Sequence, residues 1–142
     1  MTTFIRPISS GAYTVNEHSD CTVRALANSA GILYANAHNI LRQYGRKDKR
    51  GCTHRVWHDA YTNNGMSLVG IYGKTNGAKS ISKRLNIAAH KGITLGRLLP
   101  QLNDGKYLVI ITRHALAVVD GAVIDLGHNR SNSSVIAVYK HS

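Results

Sequence analysis

Acidic side chains are scarce in this chain: 7 Asp and Glu stand against 18 Lys and Arg, a formal net charge of +11. That imbalance excludes a charge-neutral surface and predicts an anionic partner, whether nucleic acid, an acidic protein face or an anionic envelope polymer. Cysteine is rarer still. Cys21 and Cys52 form no CxxC pattern, which excludes a disulfide framework and favours a reducing compartment. No stretch reaches the roughly 18 apolar residues of a membrane span, so no membrane partner is expected. The opening MTTFIRPISS has no basic segment leading into an apolar run and a small-residue cleavage site, and a cytoplasmic protein is the expectation. What is plentiful is ordinary apolar content, 43%, which excludes wholesale disorder. With 142 residues, one domain spanning 1–142 is expected.

The first half carries helical periodicity. Asp20 is a good N-cap, and Val23, Leu26, Ala27 and Ala30 recur at helical spacing until Gly31. Tyr34 to Tyr44 and Thr53 to Asn63 read as two further helices, ended by Gly45 and by Asn64-Gly65. Residues 66–91 are the least legible, with a β-like piece at Ser67 to Tyr72 and a basic stretch. A short helix is expected from Thr94 to Leu102. The character then changes. Lys106 to Ile111 is a β-branched run, His114 to Val119 and Ala122 to Leu126 flank the hairpin signal Asp120-Gly121, and Val135 to Tyr139 is a last strand. Helices followed by antiparallel strands describe an α+β domain.

Cys21 follows the cap residue directly and should occupy the first helical position, where unpaired N–H groups favour a thiolate. Asp20 beside it works against that, leaving a histidine to supply the remaining activation. The hairpin offers one. With Asp120 and Gly121 as a two-residue turn, Val119 pairs with Ala122 and Val118 with Val123. Leu116 then faces Asp125, and His114 faces Gly127. Alternation puts His114, Leu116 and Asp125 on one face, with His114 and Asp125 as diagonal neighbours roughly 7–8 Å apart. Asp120 lies six residues from His114, roughly 20 Å along a strand, and is a turn residue. Cys21 meets His114 if the first helix packs on that same face. Base and orienting acid are then those of a catalytic triad; a small buried cysteine with a structural His–Asp pair is the other reading of the same residues.

The run Asp20-Cys21-Thr22-Val23-Arg24-Ala25-Leu26-Ala27, with Arg113-His114-Ala115-Leu116-Ala117-Val118-Val119-Asp120-Gly121 and Val123-Ile124-Asp125 downstream, resembles papain-like cysteine peptidases. The nearest in flavour are peptidases that trim bacteriocin leaders and small papain-like proteins of bacteriophages. The resemblance implies a papain-like fold, N-terminal helices packed on a C-terminal antiparallel β-sheet, and a thiol hydrolase cleaving a peptide or isopeptide bond with Cys21, His114 and Asp125. It implies no cofactor, and host cytoplasm as the location if the protein is phage-encoded. The family places a polar side chain, usually Gln, before the cysteine to hold the oxyanion; Asn16 is the nearest amide here. Thr22 replaces the family's glycine after the cysteine. Both departures leave room for a catalytically silent relative or for transferase chemistry on the same scaffold.

Two further patterns compete. Cys52, His54 and His58 give C-x-H-x₃-H, short of a fourth ligand and of any finger spacing, so no metal is assigned. The basic cluster Arg46, Lys47, Lys49 and Arg50 is the candidate contact for an anionic partner. That partner is a protein or peptide substrate with an acidic surface, or, in the rival reading, nucleic acid or a host protein bound without catalysis.

Overall fold

The computed structural model describes residues 3–5, 20–47, 53–125 and 130–142. A short strand β1 (Thr3–Ile5) precedes three helices, α1 (Cys21–Ala30), α2 (Tyr34–Gln43) and α3 (His54–Thr62). Strand β2 (Met66–Ile71), helix α4 (Asn76–Leu85), helix α5 (Leu95–Leu98) and a 3-10 turn (Leu99–Gln101) follow. The chain ends in β3 (Lys106–Ile111), β4 (His114–Val119), β5 (Ala122–Ile124) and β6 (Val135–His141). The strands form one sheet in the order β1-β5-β4-β3-β6-β2. Five are antiparallel to their neighbours, and β1 adds parallel to β5 at the edge. The α+β class expected from the sequence is the class observed.

Local chemistry sets the boundaries. Gly31 adopts the left-handed conformation (φ 69°) and ends α1, with the Ile32 N–H returning to the Ala27 carbonyl, a closure that needs a residue without a Cβ penalty. Asp120 and Gly121 both have positive φ, 49° and 85°, matching the twist of the strands they join. The register that follows is the one derived from the sequence: Val119 faces Ala122 and Val118 faces Val123.

Helix α4 and strand β1 were not expected. The α4 segment carries only Ala78 and Ile81 as buried residues, too narrow a stripe to stand out. The Thr75 hydroxyl accepts from the Ala78 N–H and starts the helix.

Both sheet faces are covered, so β3 and β4 are nearly continuously buried. On one face α1 to α4 pack through Val23, Leu26, Leu41 and Tyr61 against Leu108, Ile110 and Ala115. On the other, Leu95, Leu98 and Leu102 cover Val109, Leu116, Val118 and Val123. Helix α1 therefore lies on the Ala115 face of β4, whereas His114 and Leu116 alternate to the other. This corrects the expected packing. The small Ala115 and Ala117 let the helix approach β4 closely, while the bulkier Leu116 and Val118 receive the α5 leucines.

Candidate active site

Cys21 and His114 come together at the end of the sheet. Cys21 is the first residue of α1 and His114 the first of β4, so the imidazole extends past the strand terminus to a helix seated on the opposite face. His114 Nε2 lies 2.7 Å from Asp125 Oδ1, and Cys21 is close enough to the ring to act on its pKa. The His114 and Asp125 side chains are 13% and 8% exposed, so the pair works in a screened environment. The Arg130 Nε–H reaches Asp125 Oδ2 at a long 3.4 Å.

These contacts decide the charge on the ring. Burial alone would lower the His114 pKa. Hydrogen bonds to Asp125 and Cys21, together with the negative charge of both, outweigh it and raise the pKa to about 9. The ring thus carries a proton at neutral pH, with Nε2–H donating to Asp125.

Asp20, next to the cysteine, does not cap α1 with its side chain. The expectation that it would is corrected by two stronger donors: the Arg24 Nε–H gives to Oδ1 at 3.0 Å and the Tyr34 hydroxyl to Oδ2 at 2.7 Å. A guanidinium one turn along brings a full opposite charge to the bond, which a backbone amide lacks. The carboxylate is only 8% exposed, turned toward α2 and balanced by Arg24. The first turn of α1 contains no other acid.

A cleft of about 490 Å³ opens beside the sulfur, within the size range of ligand-binding clefts. Its walls are apolar at Trp57, Ile111 and Ile136, and His54 and Arg113 add polar groups. The His54 pKa is lowered by burial and then by the charges of Arg84 and Arg55, so this ring is neutral where His114 is charged. Trp57 and His54 were missing from the sequence-derived site. They belong to a different helix, and only packing brings α3 to the cleft.

His58, one turn from His54, faces inward, with Nδ1 2.6 Å from the Tyr139 hydroxyl. The two histidines of the C-x-H-x₃-H pattern are thus divided between a cleft and a buried pair. Among the described residues no group of three or more potential ligands could hold a metal ion.

Arg46 is 3% exposed and so does not belong to an exposed basic cluster. Its N–H returns to the Leu41 carbonyl after the positive-φ turn at Gly45, which folds the residue back on α2. Lys47 is exposed. Asn16, Lys49, Arg50 and Cys52 lie outside the described residues.

No protein-family model matches the chain, and comparison with curated proteins and with solved structures gives no match. Among the described residues no helix is long and apolar enough to cross a membrane.

Proposed function

We propose that the protein is a thiol hydrolase of papain-like architecture that cleaves a peptide or isopeptide bond with Cys21, His114 and Asp125. The observation that carries this reading is His114, bonded to Asp125 at 2.7 Å and lining one cleft with Cys21. With the thiol's proton on His114, Cys21 attacks the substrate carbonyl and a tetrahedral oxyanion forms. His114 then gives its proton to the leaving amine as the C–N bond breaks, leaving a thioester on Cys21. Water, losing a proton to His114, hydrolyses the thioester and releases the carboxylic acid. Asp125 keeps the ring oriented and stabilises the imidazolium. The Cys21 backbone N–H, at the first helical position, has no acceptor within the helix and is an oxyanion donor. Asn16 is the proposed second donor.

Thiol labelling across pH tests this. Iodoacetamide should modify Cys21 rapidly well below pH 8 and much more slowly in His114→Ala. Cys21 and Cys52 reacting at the same slow rate would remove the proposal.

A second reading is a catalytically silent protein that binds an acidic host protein or nucleic acid. Lys74, Lys79, Lys83 and Lys91 favour it: all four are exposed, and the sequence has no acid between Asp59 and Asp104. The Gly73 N–H bonds the His90 carbonyl, which sets Lys74 beside Lys91. Binding to an anionic polymer should fall steeply with salt in this case, and negligible binding at low salt would eliminate it.

A further inference from the structure

Arg113 combines three features that together call for a ligand. It precedes His114 in the two-residue turn between β3 and β4, whose end is set by the Ile111–His114 pair. It is exposed and lines the same cleft as Cys21 and His114. Its backbone is left-handed, φ 60°, a conformation for which glycine or asparagine is the ordinary choice.

Among the described residues the Arg113 charge has no counterpart: none of their carboxylates lines the cleft, and Asp125 is occupied by His114 and Arg130. Elsewhere arginines do find acids: Arg24 pairs with Asp20 and Arg84 with Asp59 through two oxygens. Among the described residues nothing accepts a hydrogen bond from the Arg113 guanidinium. The described acids are engaged elsewhere or lie far along the sheet, as Asp120 does at the opposite end of β4. Beside apolar walls of Trp57, Ile111 and Ile136, an unpaired cation has few compensating dipoles, and an anion entering the cleft meets less screening than in open water. A planar guanidinium presents two parallel donors, the geometry a carboxylate accepts.

We infer that Arg113 is a specificity-determining residue that receives a carboxylate of the substrate beside the carbonyl attacked by Cys21. The inference rests on the hydrolase reading above and narrows its substrate class to peptides with an anionic group near the scissile bond. That group is either an acidic side chain or a terminal carboxylate, since both offer the same pair of oxygens.

Reagents that differ only in charge test this on the intact protein. Iodoacetate is compared with iodoacetamide, and iodoacetyl-glycine with iodoacetyl-glycinamide for a terminal carboxylate. Iodoacetyl-glutamate amidated at its α-carboxyl reports a side-chain carboxylate against its glutamine counterpart. At low salt the anionic member of a pair should label Cys21 about three- to tenfold faster than the neutral one, the effect of one added cation within a few ångströms. Arg113→Gly should lower that ratio to what His114 alone sustains, and Arg113→Lys should keep part of it. The pair with the larger advantage names the source of the carboxylate. Because glycine suits the backbone at this position, Arg113→Gly should melt no lower than the parent, which separates lost selectivity from lost folding. An anion-to-neutral ratio unchanged in Arg113→Gly overturns the role of Arg113. Slow labelling of Cys21 by the neutral reagents overturns the hydrolase reading instead, so the two failures are distinguishable.

Discussion

Tyr34, the first residue of α2, donates its hydroxyl hydrogen to Asp20 Oδ2 at 2.7 Å, one residue before the cysteine that opens α1. With the Arg24 guanidinium on the other oxygen, the carboxylate is removed from the first-turn amides it would otherwise cap. Arg24 also lies over the Tyr34 ring, 5.6 Å from its centroid, so the three residues lock the α1–α2 junction as a unit. The helix start beside Cys21 is thereby left without a side-chain cap.

Tyr34→Phe should cost about 1–2 kcal/mol of stability, the loss of one buried charge-assisted bond. Arg24→Ala should cost more, about 3–5 kcal/mol, because it leaves the buried Asp20 charge unpaired. Urea unfolding of the two variants measures the difference. Equal small effects would show that Asp20 does not depend on Arg24.

Asp125→Asn should lower the His114 pKa from about 9 toward its ordinary value, since the charge and the strongest acceptor on the ring are removed together. Alkylation of Cys21 at pH 6 should then slow by about tenfold or more. NMR titration of the His114 ring checks the first statement and alkylation kinetics the second. A ring still protonated at pH 8 in the variant would contradict both.

The same pair makes stability depend on pH with a defined sign. The folded pKa of His114 is raised above its unfolded value, so its contribution is complete below about pH 6.5 and lost as pH rises through about 9. The contribution is at most about 3 kcal/mol. The stability gap between the parent and Asp125→Asn, measured by urea unfolding, should therefore shrink from pH 6 to pH 9.

His58 acts in the opposite sense. Burial lowers its pKa, so its contribution is present above about pH 6.5 and lost as pH falls below that. Burial raises the Tyr139 pKa, so the phenol keeps its hydrogen and shares a 2.6 Å hydrogen bond with His58 Nδ1. Tyr139→Phe should destabilise the protein by about 1–2 kcal/mol at pH 7, through loss of a buried bond between α3 and β6. It should also lessen the further loss on acidification to pH 5. Thermal melts at the two pH values decide this.

How far the sequence reaches is clearest at the hairpin. The Asp120-Gly121 turn fixes the register by itself, because two positive-φ residues close only one loop geometry. Strand alternation then sets His114 and Asp125 on one face and separates Asp125 from Asp120. Gly31 likewise sets where α1 ends, and Cys21 stands at its start as the local pattern requires. These are short-range consequences of backbone sterics and periodicity.

Which face of β4 receives α1 is a different kind of question. It depends on the volumes of Ala115 and Ala117 against those of Leu116 and Val118, and on where the α5 leucines find room. Periodicity carries no information about such competition between distant elements. The same holds for Asp20, whose partners Arg24 and Tyr34 outbid the backbone amides only once α2 is folded against α1. It holds too for His54, Trp57 and Arg113, which share a cleft because the start of α3 and the β3–β4 turn come together there. The sequence by itself determined the C-terminal strands, the turn between β4 and β5, and Cys21, His114 and Asp125 as candidates. Tertiary packing decided that Cys21 and His114 meet around the end of the sheet, where a helix start on one face and a strand start on the other come within a side chain's reach.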